Sequence, residues 1–133
     1  MILVDSSVWI DYLRGVETKQ TDRLHGLLGL EPVAVGDLIL TEVLQGTTTD
    51  KEFKEVLKLL NSLEVVSLGG HSVAVQAARN FRALREKGVT IRKTIDCIIA
   101  TRCIMDGLML LHSDKDFDPF VAHLGLRSVF KQT

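Results

Sequence analysis

The hydrophobic residues of this 133-residue chain alternate between short continuous runs and stripes with helical spacing. The continuous runs predict β-strands at residues 2–4, 32–35, 63–66, 108–111 and 127–130. The helical stripes predict helices around residues 53–60, 73–84 and 95–103, and a shorter one over residues 38–46. Gly88 and Gly107 are well placed to end the second and third of these helices.

The order of the predicted elements indicates the fold class. Strands that alternate with helices favour a parallel sheet covered on both faces, and continuous apolar strands are typical of such a sheet. The length is that of one domain. We therefore predict an α/β fold, a three-layer α/β/α sandwich with a central, mainly parallel sheet, in a single domain over residues 1–133.

The composition is that of an ordinary globular protein, 46% hydrophobic and 25% charged, with a net charge of −1. We recognise no signal-peptide pattern and no apolar run of transmembrane length, which predicts a cytoplasmic protein without membrane association. Cys97 and Cys103 lie six residues apart in a predicted helix and point to different sides of it, so we expect free thiols.

One segment departs from this neutral balance. Residues 79–93 carry six cations and one anion, a local charge of +5. Arg79, Arg82 and Arg85 recur at three-residue spacing and so share a helix face. A solvated helix face and a phosphate-binding surface both explain this pattern.

Two predicted strands are followed by aspartate. Asp5 directly follows the first strand, and Asp114 follows the run LMLLHS, with Asp116 two residues later. Ligands of open parallel sheets bind outside the carboxyl ends of the strands, so both carboxylates are expected at the same edge. Each alone is explained by a helix cap or a turn, and the pair together favours a functional site.

Two further carboxylates lie in apolar surroundings. Asp96 falls in the first turn of a predicted helix, where it would interact favourably with the helix dipole, and Glu42 interrupts LILTEVLQG. If these groups converge with Asp5 and Asp114, their repulsion requires a cation, and oxygen ligands without a His or Cys cluster indicate Mg²⁺ or Mn²⁺. A group of carboxylates that holds such a cation beside a basic segment is suited to phosphodiester hydrolysis.

Other site types are excluded by their patterns. Asp114, Asp116 and Asp118 imitate the start of an EF-hand loop, but Pro119 and Gly125 stand where glycine and glutamate are required. The P-loop, dinucleotide-binding, HExxH and GxSxG patterns are absent from the sequence.

Four stretches of the chain, MILVDSSVWIDYLRG, TEVLQG, TIDCIIATRCIMDG and LMLLHSDKDF, resemble PIN-domain ribonucleases, and most closely the VapC toxins. The resemblance places the acidic quartet of that family on Asp5, Glu42, Asp96 and Asp114. It places an additional acidic position of some members on Asp116. Ser7 matches a small polar position that helps to orient the first aspartate.

The resemblance implies Mg²⁺- or Mn²⁺-dependent endonucleolytic cleavage of RNA, often of a tRNA or rRNA loop, which inhibits translation. It also implies a homodimer silenced by a VapB-type antitoxin in a heterotetramer or larger complex, with DNA contacted only through the antitoxin.

On this interpretation Asp5, Asp96 and Asp114 are metal ligands, joined by Asp116, and Glu42 binds a second ion or positions the attacking water. The predicted substrate contacts are Ser7 and the cations Arg79, Arg82, Arg85, Arg92 and Lys93. There are two alternatives. The chain could be a PIN-domain nuclease that acts in RNA processing, or a non-enzymatic module whose cluster of carboxylates binds a basic peptide.

Overall fold

The computed structural model describes residues 1–130, which contain one parallel five-stranded sheet in the order β3-β2-β1-β4-β5. The strands are β1 Ile2–Val4, β2 Val33–Gly36, β3 Glu64–Val66, β4 Met109–Leu111 and β5 Arg127–Ser128. Leu3 of β1 pairs with Ala34 of β2 on one side and with Leu110 of β4 on the other. All four strand pairs within the described residues are parallel.

The helices that connect these strands form the two outer layers. They are α1 Ser6–Leu13, α2 Lys19–Leu27, α3 Asp37–Leu44, α4 Asp50–Asn61, α5 His71–Glu86, α6 Thr94–Asp106 and α7 Asp118–Leu124. Helix α1 contacts α2 and α3, α3 contacts α4, and α5 contacts α6 and α7. Because crossovers between parallel strands are right-handed, the reversal of strand order after β3 moves the later helices to the opposite face. The predicted α/β/α sandwich is confirmed.

The sheet is buried in its centre, and both of its edge strands, β3 and β5, carry exposed residues. Every residue of β1 and β2 is buried, as the continuous apolar runs predicted. The edge strand β3 differs, because Glu64 and Val65 are exposed. An apolar run on an edge strand therefore did not indicate burial on both faces.

The helix ends follow local backbone chemistry. Gly88 and Gly107 end α5 and α6 with positive φ angles of 83° and 68°, as predicted. Helices α2 and α7 escaped the sequence prediction. The first is polar and contains Gly26, and the second is seven residues long with Pro119 near its start, so neither shows a clear apolar stripe.

The topology brings two strand ends together. The strand order reverses between β1 and β4, and the backbone N–H of Asp5 donates to the carbonyl of Leu111 at 2.9 Å. In open parallel sheets this reversal point creates a crevice at the carboxyl edge. Within residues 1–130, none of the helices has the length and apolar character that crossing a membrane requires.

Candidate active site

Asp5 lies at the end of β1 and serves as the N-cap of α1. Its Oδ2 accepts the hydroxyl of Ser7 at 2.6 Å and the backbone N–H of Ser7 at 3.2 Å. The residue is only 4% exposed, and this burial raises the pKa of its carboxyl while the hydrogen bonds from Ser7 oppose the shift. Asp5 is thus a helix cap and a buried carboxylate of the crevice at once.

Asp114 and Asp116 follow β4, Asp114 as the N-cap of a short 3₁₀ helix over Lys115–Phe117 and Asp116 within it. Asp114 caps this turn, because its Oδ1 accepts the backbone N–H of Asp116 at 2.9 Å. Both carboxylates are partly exposed. The turn thus carries both acidic groups at the mouth of the crevice.

Asp96 is buried in the first turn of α6, with 6% of its surface exposed. Among the described residues, its Oδ2 has no hydrogen-bond partner. Burial, followed by the charge of Asp5, raises its pKa to about 6. One ligand atom from each of Asp96, Asp114 and Asp116 lies within 4.8 Å of the other two.

Glu42 approaches from the opposite layer, on α3, and is partly buried. Burial, followed by the charge of Asp5, raises its pKa, while the Ser6 side chain acts to lower it. Its Oε1 is buried and finds no hydrogen-bond partner in the part of the chain that the structure describes. Ser6 was not among the predicted site residues, although its position directly after Asp5 could have indicated a place at the site.

Lys93 also lies at this site. Its Nζ is 3.5 Å from Oδ2 of Asp114 and 4.0 Å from Oδ2 of Asp96. These two carboxylates, Asp96 first, raise the pKa of the Lys93 ammonium. The sequence predicts Lys93 as a phosphate contact; in the structure its ammonium lies against the acidic residues themselves.

The donor set is suited to a hard divalent cation. Carboxylate oxygens are the ligands that Mg²⁺ and Mn²⁺ prefer, and two buried oxygens, on Glu42 and Asp96, lack a hydrogen-bond partner within residues 1–130. An unpaired buried acceptor costs about 1–3 kcal/mol, so a cation at this position would relieve that cost. We refer below to Asp5, Glu42, Asp96, Asp114 and Asp116 as the acidic cup.

The remaining predicted cations are exposed. Arg79, Arg82 and Arg85 lie on α5, and Arg92 precedes α6. Arg82 and Arg85 border a groove of about 550 Å³ between α5 and α6, which also includes Thr94 and Cys97 beside Asp96. Two of the three α5 arginines therefore border a groove that reaches the helix turn of Asp96.

Comparison with known proteins relates this geometry to a family. The family model described as PIN domain matches residues 2–120. The chain belongs to the PIN-domain family. It is 32% identical over 120 residues to Ribonuclease VapC11 of Mycobacterium tuberculosis, covering 89% of this chain and 90% of that protein. It is likewise 32% identical over 120 residues to VapC ribonuclease Mb1587 of Mycobacterium bovis, with the same coverage. The chain is thus a PIN-domain protein of the VapC ribonuclease family, as the resemblance indicated.

A solved structure shows the same fold. The complex VapBC2 from Rickettsia felis, bound to a DNA fragment from their promoter, contains a chain that superposes with a TM-score of 0.72. The two chains share 18% identity, with 96% of this chain and 97% of that chain covered. The fold prediction is therefore confirmed independently of close sequence similarity.

Proposed function

We propose that this PIN-domain protein is a divalent-metal-dependent endoribonuclease and the toxin of a VapBC-type pair. The observation that carries the proposal is the convergence of Asp96, Asp114 and Asp116 within 4.8 Å, next to buried Asp5, at the point where the strand order reverses. The identity to VapC ribonucleases over most of the chain supports RNA as the substrate.

The proposed roles follow from the position of each side chain. Asp5, Asp96, Asp114 and Asp116 hold Mg²⁺ or Mn²⁺, and Glu42 binds a second ion or positions the attacking water. A bound metal supplies an activated water and stabilises the leaving oxygen. Ser7 holds the carboxylate of Asp5 in place through its 2.6 Å hydrogen bond.

The basic residues of α5 and of the segment before α6 are proposed to hold the RNA backbone. Arg82 and Arg85 border the groove that reaches α6, while Arg79, Arg92 and Lys93 extend the positive surface. Contacts of this kind weaken as salt rises, because binding releases counterions from the phosphates. We propose a loop of tRNA or rRNA as the target, since unpaired bases are what sequence-specific RNA-binding proteins usually read.

The proposed partners come from the family. VapBC complexes are among the structural neighbours, and the Rickettsia felis complex is bound to promoter DNA. By analogy, this chain acts in the cytoplasm, forms a homodimer and is silenced by a VapB-type antitoxin in a heterotetramer or larger complex. Contact with DNA is then made by the antitoxin.

Cleavage of total RNA by the purified protein tests the catalytic part of this proposal. We expect cleavage with Mg²⁺ or Mn²⁺, none with EDTA, and none with the variants Asp5→Asn and Asp96→Asn. Sequencing of RNA ends after induction would identify the target. Wild-type cleavage rates in either variant would contradict the assigned roles.

The alternatives predict different results. A nuclease of RNA processing would cleave RNA without arresting growth on expression, and its gene would lack an adjacent antitoxin gene. A non-enzymatic acidic module would bind basic peptides equally well with and without EDTA, and calorimetry would detect no Mg²⁺ binding.

A further inference from the structure

Within residues 1–130, Lys93 is the cation that forms ion pairs with the acidic cup. Its side chain is 61% exposed, yet its Nζ lies 3.5 Å from Oδ2 of Asp114 and 4.0 Å from Oδ2 of Asp96. The Asp96 side chain is only 8% exposed, and its Oδ2 has no hydrogen-bond partner among the described residues. The ammonium therefore faces a buried carboxylate oxygen from the solvent side.

Helix stability does not explain a lysine at this position. Lys93 is the N-cap of α6, and its side chain makes no capping hydrogen bond there. Helix N-termini favour Ser, Thr, Asp or Asn as caps, and a cation at this end opposes the helix dipole. The residue is thus locally unfavourable for the helix, and its favourable contacts are those with Asp96 and Asp114.

The position of the ammonium overlaps with that of a metal. The Asp96 and Asp114 atoms that it approaches belong to the two carboxylates that, with Asp116, form the candidate metal cluster. Two cations cannot neutralise the same oxygens at full strength, because their mutual repulsion offsets the gain. The Lys93 side chain is 61% exposed, so its ammonium can move away into water at small cost, because water then replaces its partners.

We propose that Lys93 is a built-in counter-ion of the acidic cup: its ammonium neutralises Asp96 and Asp114 in the metal-free protein and is displaced when a divalent cation binds. The inference rests on the metal site of the proposed function. Lys93 stabilises the metal-free fold and lowers the affinity for the metal. Removal of the Lys93 charge should therefore destabilise the metal-free fold and raise the affinity for the metal.

Calorimetric titration with MnCl₂ at low ionic strength tests this directly. We expect Lys93→Gln to bind Mn²⁺ about three- to fivefold more tightly than wild type, because the metal then no longer competes with the ammonium for Asp96 and Asp114. Lys93→Arg keeps the charge and is expected to retain wild-type affinity. The matched control is Lys115→Gln, which removes the same charge from the chain between Asp114 and Asp116 and should change the affinity by less than about twofold.

Thermal unfolding gives a second readout that requires no metal. In EDTA, Lys93→Gln should unfold at a lower temperature than wild type and than Lys115→Gln, and saturating Mn²⁺ should abolish this difference. If Mn²⁺ binds to wild type but Lys93→Gln matches Lys115→Gln in affinity and in melting temperature, Lys93 is only a surface or phosphate-contacting cation and the inference is wrong. If wild type binds no Mn²⁺ at all, the proposed function fails together with it.

Discussion

The hydroxyl of Ser7 donates a 2.6 Å hydrogen bond to Oδ2 of Asp5, the oxygen that also accepts the backbone N–H of Ser7. A single carboxylate thus begins α1 and faces the crevice between β1 and β4. The capping interaction fixes the orientation of Asp5. The helix cap and the proposed metal ligand are therefore two roles of one side chain.

Ser7→Ala should reduce metal-dependent RNA cleavage by about 10- to 100-fold, the usual cost of losing a group that orients a metal ligand. The fold should persist, because the backbone N–H of residue 7 still donates to the capping carboxylate of Asp5. Initial cleavage rates over a range of Mn²⁺ concentrations measure the effect. Ser72→Ala, at an exposed position on α5, is the control and should cleave at the wild-type rate. Equal rates in both variants would mean that Asp5 needs no support from Ser7.

The raised pKa of Asp96 predicts how the stability of the metal-free protein depends on pH. Its pKa rises from 3.8 to about 6 on folding, so the folded state binds its proton more tightly, and stability falls as pH rises through this interval. In EDTA, the Asp96 carboxyl should make wild type about 1–2 kcal/mol more stable at pH 5 than at pH 7. The variant Asp96→Asn should lack this contribution. Urea unfolding at both pH values measures it.

The raised pKa values of Asp5 and Glu42 act in the same direction, so the variant should keep a shallower slope of stability against pH. Identical slopes for wild type and Asp96→Asn would contradict the burial of an ionisable group at this position.

The space around Gly36, where β2 ends and α3 begins, limits the size of the residue that this position can accept. A Cβ atom added there would overlap the side chain of Leu68, a fully buried residue. Gly36→Ala should therefore lower the free energy of unfolding by about 1–3 kcal/mol. The same substitution should cost less in a Leu68→Ala background, since the smaller side chain leaves room. Additive effects in this double-mutant cycle would mean that the two residues are not in contact.

A buried polar bridge joins α5 to α6. Asn80 Nδ2 donates to Thr101 Oγ1 at 2.9 Å, and Gln76 Nε2 donates to Asn80 Oδ1 at 2.9 Å. Thr101→Val should destabilise the protein by about 1–3 kcal/mol, because it leaves the buried amide of Asn80 without an acceptor. Thr101→Ser retains the hydroxyl and should recover most of the loss in urea unfolding. Equal stability of the two variants would exclude the bridge as the cause.

The sequence predicted the sheet well because its central strands are continuous apolar runs. It also predicted which edge carries Asp5 and Asp114, since the carboxyl ends of parallel strands share one edge. Helix α2 remained unpredicted because its contacts with α1 are made by few apolar residues in a polar segment. The local pattern of hydrophobic residues does not indicate such tertiary contacts.

The convergence of acidic side chains at this sheet edge could be predicted from the sequence, whereas their contacts with other side chains could not. Asp96 and Glu42 stood out as acids in apolar helices, and the structure shows that both have a buried oxygen without a hydrogen-bond partner within residues 1–130. The position of Lys93 could not be predicted, because the reach of a flexible side chain depends on how β4 and α6 pack. The same holds for the tight approach of Leu68 to Gly36, which joins residues far apart in the chain.

The central claim is that the acidic cup binds a divalent cation, and anomalous diffraction from a crystal soaked in MnCl₂ tests it most directly. We predict an anomalous peak among Asp5, Asp96 and Asp114, within about 2.5 Å of at least one carboxylate oxygen or bridged to it by water. The peak should disappear in Asp96→Asn. An empty acidic cup in wild-type crystals, under conditions where the protein still cleaves RNA, would contradict the account.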